Sequence, residues 1–308
     1  MKIFVIFFLG IFVFSSCEKN ITVNIPKKPP RLVINAILEK TKPIEIMVGK
    51  SRHILDSIEL SIEPYIVKNA VVVIFENGIP YDTLIYQPNS YTYTSPQNKK
   101  IRDGYTYNLK VSAAGFTSVE ASAIVPSISE APVVTRVKDA RVTSYGDHQD
   151  EVTVTLNDPA EKNFYLLQIF HADAGFGGST EYPIYCASTT DKDLEKVGED
   201  PDPLSTDNCY DAGNLIMKDD NFNGRQKQLR FYIESSQLQD YTLPGGGTSK
   251  PYVKLSRISE DYFKYIKSYY IAYDSGGNPF AEPVNVFTNV INGLGIFSIR
   301  STAVTFIQ

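Results

Sequence analysis

The chain has 308 residues, 30 Lys and Arg against 35 Asp and Glu for a formal net charge of −5, and 20 Tyr, 17 Phe, 3 Met and no Trp. It lacks the clustered basic residues that nucleic acid or an anionic membrane face would require, which argues against both as partners. Tyr and Phe suit half-buried pleated surfaces, so an aromatic-rich, Met-poor composition points to β structure.

The chain opens MKIFVIFFLGIFVFSSC. Lys2 is a minimal positive n-region, Ile3 to Phe14 are apolar apart from Gly10, and Ser15 and Ser16 lead into Cys17. The apolar run is too short to span a bilayer but has the length of a signal-peptide core. Small residues directly before a cysteine form the pattern of a bacterial lipobox, in which the thiol is diacylated and cleavage leaves Cys17 as the first residue. The expectation is a signal peptide over 1–16, a lipid anchor on Cys17, and about 290 mature residues, enough for two ordinary domains or one large one. Residues 17–30, ending EKNITVNIPKKPP, are polar and close on prolines, which reads as an extended tether.

From Arg31 the texture changes. RLVINAILE and PIEIMVGKS are strand-like, and IVKNAVVVIFENGIPYDTLIY places Asn77-Gly78 between two β-prone runs, a strong hairpin signal. NSYTYTSP, GYTYNLKVSAAGF and VEASAIVP follow, each short and bounded by Gly, Pro or Asn. In GYTYNLKV the residues Tyr105, Tyr107, Leu109 and Val111 alternate with Thr106, Asn108 and Lys110, so one face is buried and one is wet. About seven short strands at this spacing predict an immunoglobulin-like β-sandwich over 31–126.

PSISEAP, residues 126–132, reads as a linker into a larger β-rich domain over 127–308. EVTVTLNDPA and NFYLLQIFHAD are strand candidates joined by a turn at Asn157-Asp158-Pro159, and LIMKDDNFNGRQKQLRFYIE reads as a hairpin. Cys186 and Cys209 remain once Cys17 is used by the lipid. In an exported chain a disulfide is expected between them, closing a loop rich in Asp, Pro, Ser and Gly and offsetting roughly 3 kcal/mol of chain entropy. One helix is expected near 258–274. Ser259 can cap it, Glu260 and Asp261 suit its positive end, and Ile258, Tyr262, Tyr265, Ile266, Tyr269 and Tyr273 make a stripe facing the sheet. Gly276-Gly277 stop it.

The C-terminal stretch Asn278-Pro279-Phe280-Ala281-Glu282-Pro283-Val284-Asn285-Val286, then Asn289 and Asn292-Gly293-Leu294-Gly295-Ile296-Phe297, resembles the signature of the DUF4249 family of Bacteroidota lipoproteins. The Ser-Cys-Glu-Lys start, the Asp219-to-Gly224 turn and the ISEDYFKYIKSYY helix agree in order, so the resemblance covers essentially the whole mature chain. It implies an outer-membrane setting and a TonB-dependent barrel of the SusC type as partner, and Glu18-Lys19 just after the cysteine resembles a surface-export signal, so surface exposure is expected over a periplasmic face.

Chemistry has few footholds. Asp219, Asn221 and Asn223 before Gly224 match the first half of a calcium loop, but its closing position is Arg230, and Arg225 and Lys227 add positive charge, so no metal or other cofactor is expected. His53, His148 and His171 lie in unrelated contexts with no HExxH, GxSxG or phosphate-loop motif, which predicts no catalytic residues and no enzyme. Asp56-Ser57-Ile58 and Asp82-Thr83-Leu84 resemble O-glycosylation tripeptides, with Ser57 and Thr83 as acceptors. The leading expectation is a non-enzymatic accessory subunit that helps a transporter bind nutrient or supports its complex. A free-standing adhesin or scaffold is the alternative, and a hydrolase of exported polymers comes third.

Overall fold

The computed structural model describes residues 28–308 apart from 54–55, 57–59, 128–129, 172–181, 196, 198–208, 243–245 and 276–283. The expected signal peptide over 1–16, Cys17, most of the expected tether, Ser57, Gly276-Gly277 and the start of the C-terminal signature at Asn278 lie outside the described residues.

The protein is mainly β, as composition and alternation suggested. Seven strands cover the first part: β1 (Leu32–Glu39), β2 (Glu45–Lys50), β3 (Val71–Glu76), β4 (Ile79–Gln87), β5 (Thr92–Thr94), β6 (Thr106–Ser112) and β7 (Val119–Ile124). They pair in the order β1-β2-β5-β4-β3-β6-β7. Asn77 and Gly78 both take positive φ, 48° and 80°, the geometry a two-residue hairpin needs, and β3 pairs with β4 as expected. Tyr107, Leu109 and Val111 point into the core from β6.

The remaining strands are β8 (Val133–Val142), β9 (His148–Asn157), β10 (Phe164–Phe170), β11 (Ala187–Ser188), β12 (Leu194–Glu195), β13 (Cys209–Tyr210), β14 (Leu215–Lys218), β15 (Gln226–Glu234), β16 (Tyr241–Thr242), β17 (Thr248–Ser249), β18 (Tyr252–Ile258) and β19 (Leu294–Phe306). Helix α1 (Glu260–Ser275) lies between the last two. β13-β11-β15-β9-β8 make a five-stranded sheet. β12-β14-β10-β18-β19 continue directly into β1 to give one sheet of twelve strands.

That junction is the main feature of the fold. β19 runs parallel to β1, from Val33 opposite Leu294 to Glu39 opposite Arg300, and antiparallel to β18 on its other side. Val290, Phe297 and Ile299 complete the core formed by the first seven strands, and Ile291 exchanges backbone hydrogen bonds with Glu120 on β7, so the curled sheet closes on the residues leading into β19. The sheet is therefore not interrupted near residue 126, and the 126–132 segment is fastened to it. Ser301 donates to the Pro126 carbonyl, Thr305 Oγ1 to that of Pro132 at 2.9 Å, and Arg257 to the Ser127 carbonyl.

Two further cores flank the C-terminal part of the large sheet. Val152, Val154, Leu229 and Phe231 of the five-stranded sheet meet Tyr165, Leu167, Val253 and Leu255 on one face. On the other, Tyr262, Phe263 and Ile266 of α1 cover Phe164, Leu166, Ile216 and Ile296. The expected helix stripe is corrected here. Ile258 closes β18 rather than entering the helix, Phe263 takes a core place against the Phe164 ring at 5.1 Å, and Tyr269 and Tyr273 are 45% and 71% exposed. The helix is rotated so that 262, 263 and 266 face inward. Tyr265 stays half-buried against this core as expected, and from it Tyr269 and Tyr273 continue a stack along the helix flank, 6.1 and 6.4 Å between centroids. Ser259 caps it, its Oγ accepting from Tyr262 N at 3.1 Å.

Candidate functional site

The calcium-like stretch is a corner, not a hairpin. β14 belongs to the large sheet and β15 to the small one, so residues 219–224 carry the chain from one layer to the other, as 158–163 do between β9 and β10. The two corners interlock. Asn163 N donates to Asp219 Oδ2 at 2.6 Å and Asp219 N returns a bond to Asn163 O at 3.2 Å. Asp158 accepts from Gly224 N at 2.9 Å, from Asn163 Nδ2 at 3.2 Å and from the Tyr165 hydroxyl, while Arg257 donates to Asn163 and Glu161. Burial, and next to it the Asp158 charge, push the Asp219 carboxyl above its usual range against the hydrogen bond from Asn163. Burial and the Asp158 contact raise the Tyr165 phenol.

Asp219, Asn221 and Asn223 therefore do not converge. Asp219 is spent on Asn163, whereas Asn221 Nδ2 donates to Asp193 Oδ1 at 2.7 Å. The cation on this side of the corner is the Lys227 ammonium, which lies 2.8 Å from Asp191 Oδ2, is bonded to Asp193, and sits over the Phe222 ring at 5.7 Å. Burial works against the Lys227 charge, but the two carboxylates outweigh it and raise its pKa. Burial likewise raises Asp193, and Lys227 and Asn221 outweigh that to hold it low. Among the described residues no three His, Cys, Asp or Glu side chains gather as a metal site. The Asp191 and Asp193 contribution was hidden in the sequence, because they lie over thirty positions from Lys227 and only the fold joins them.

The two carboxylates of the clamp sit inside the segment bounded by Cys186 and Cys209, which are disulfide-bonded with Cα atoms 5.4 Å apart, and Lys227 reaches them from β15. That segment leaves the small sheet at β11, pairs with the large one at β12, and returns at β13, so it straps one open side of the double layer. Beside it a polar concavity of about 250 Å³ is lined by Thr153, Thr189, Thr190, Asp191, Gln228 and Arg230. Hydroxyls, an amide and opposed charges can hydrogen-bond a small polar ligand; they do not include a nucleophile activated by a base.

The other sequence candidates are dispersed. His53 N donates to Asp56 Oδ2 in the loop after β2, His148 Nδ1 lies 3.0 Å from Asp139 on an exposed hairpin, and the His171 ring stacks on Tyr182 at the end of β10. Thr83 is exposed on β4, its amide bonded to Asp82 Oδ1 at 2.9 Å. The described part of the C-terminal signature builds the sheet. Asn289 donates from Nδ2 to Phe297 O at 2.8 Å and accepts from Phe297 N at 3.0 Å, imitating a strand partner. Asn292 takes positive φ, and a Cβ on Gly293 would fall 2.6 Å from Val290 Cγ1 and 2.9 Å from Val119 Cγ1.

The sequence profile of a domain of unknown function, DUF4249, matches residues 18–305. No curated protein and no solved structure matches the chain.

Proposed function

The chain belongs to the DUF4249 family, and on that premise we propose that it is a non-enzymatic lipoprotein of the bacterial outer membrane, anchored through Cys17 and serving as an accessory subunit of a TonB-dependent, SusC-like barrel. It would face the cell surface and either present nutrient to the barrel or brace the complex. The observation that carries the reading is the lipobox, Ser15-Ser16-Cys17 behind an apolar run, which would hold the first strand, from Leu32, within reach of a membrane, at most roughly 50 Å of extended chain away. The described signature residues, Asn289, Gly293 and Phe297, are engaged in the sheet joint, which supports a scaffold role for the trait that marks the family.

The test is to isolate the lipidated chain from gently solubilised outer membranes. A TonB-dependent barrel should co-purify; none doing so would end the partner reading. Separately, Cys17→Ser should move the protein from the membrane to the soluble fraction. The second reading, a free-standing adhesin or scaffold, is favoured by Val71 and Ile85, exposed on neighbouring strands beside Thr83. Glycan on Ser57 or Thr83 of a membrane-bound chain without a barrel would support it.

A further inference from the structure

We propose that the chain forms a twofold dimer through β8, two copies pairing antiparallel about Thr135. Sheet edges expose unpaired backbone donors and acceptors, and natural folds blunt them. Three edges here are blunted. β12 and β13 are two residues long, and β7 is closed by the Glu120–Ile291 backbone bonds. β8 is different: ten residues long, it pairs with β9 alone among the described strands. A register shift between Val137 and Arg141, with Asp139 at φ 51°, disrupts its far end and leaves Val133–Val137 as the regular stretch.

That stretch reads VVTRV, and its outward residues Val133, Thr135 and Val137 read the same in either direction. Pairing two copies about Thr135 sets Val133 opposite Val137 of the second copy, Thr135 opposite its own equivalent, and the same again by symmetry. Val133, Thr135 and Val137 all lie on the exposed face, the two valines 63% and 56% exposed, so the seam would be a continuous Val-Thr-Val row. Such β-branched cross-strand pairs are favourable. Charge does not oppose this register. Arg136 brings no unpaired charge to the seam because its guanidinium is committed to Asp150 and to the Leu238 carbonyl at 2.7 Å. A seam of five residues per copy is small for a stable interface, so the dimer is expected to be reversible.

The test uses the full chain in mild detergent. Sedimentation should show a dimer fraction that grows with protein concentration, and Thr135→Lys, which places like charges on the axis of the exposed seam, should give a monomer with an unchanged melting temperature. Thr135→Cys should form a disulfide-linked dimer under mild oxidation, because each residue faces its own copy, whereas Ser122→Cys on exposed β7 should not. A wild-type chain that stays monomeric at the highest concentration, together with a Thr135→Cys chain that does not crosslink to itself, overturns the proposal. So does capture of Thr135→Cys in membranes only as a product with a different protein, which would make β8 the seat of a foreign strand.

Discussion

Gly295 faces Ile34 so closely that a Cβ at position 295 would lie 1.9 Å from the Ile34 carbonyl oxygen and 2.9 Å from its carbon. The pair sits where β19 joins β1, with Gly295 at φ +93°, a region L side chains avoid. Gly295→Ala must therefore strain its own backbone and push β19 off β1. A loss of about 4 kcal/mol or more is expected, read as a large drop in the urea midpoint or failure to fold.

Glu76, the last residue of β3, is nearly buried, with Arg102 forked onto it and the Tyr107 hydroxyl donating to Oε2 at 2.5 Å. Burial pushes its carboxyl up, but these donors outweigh burial and hold it below the usual range, while burial and Glu76 push the Tyr107 phenol up to about 12. A depressed acid stabilises above its unfolded value and loses that contribution as pH falls through the folded one. Glu76→Gln is expected to cost about 2 kcal/mol at neutral pH and progressively less as the pH drops below about 4.5, in parallel denaturant titrations.

Asp219 has the opposite sign. Its folded-state proton is held more tightly than in the unfolded chain, so its contribution is present below the ordinary aspartate value of 3.8 and is lost as pH rises through the raised one. Asn at this position keeps an oxygen for Asn163 N and carries no charge. The stability of Asp219→Asn relative to wild type should be more favourable at pH 7 than at pH 4; an identical difference at both would show that the carboxyl is not desolvated in solution.

Lys227→Met removes the cation shared by Asp191 and Asp193, whose side chains are only 16% and 14% exposed. Uncompensated carboxylates of this kind cost about 3 kcal/mol. Millimolar calcium should leave the wild-type melting temperature unchanged, because the ammonium already occupies the position between the two carboxylates, and should partly restore that of Lys227→Met.

Reduction of the disulfide, or Cys186→Ser, should lower stability by roughly 3 kcal/mol, given the 23-residue separation it spans. The strap would loosen first, seen as faster amide exchange in β11 and β13 than in β18.

Local chemistry was legible in the chain: the Asn77-Gly78 hairpin, the alternation of β6 and the Ser259 cap depend on neighbours a few residues apart. The turn after Asn157 was legible too, but the hairpin reading of 219–224 failed because Asp, Asn and Gly make a turn equally well within one sheet or between two, and only the partner strand decides. The tyrosine stripe erred for a related reason. Spacing of three and four fixes which residues share a helix face, but not how far the sheet beneath extends, and Tyr269 and Tyr273 lie on the uncovered flank. The polar concavity and the Lys227 clamp draw on β9, β15 and the strap, a convergence without a local signature.

The parallel seat of β19 between β1 and β18 also sets an order of events. A ribosome delivers Leu32 long before Phe297, yet the core around Leu32, Val72 and Tyr107 is finished only by Val290, Phe297 and Ile299. The earliest strands must wait, apolar face uncovered, for nearly the whole polypeptide to emerge. Such sequence-distant closure is slow and exposes the growing chain to mispairing. Stepwise folding of the first seven strands ahead of β19 would leave their core incomplete.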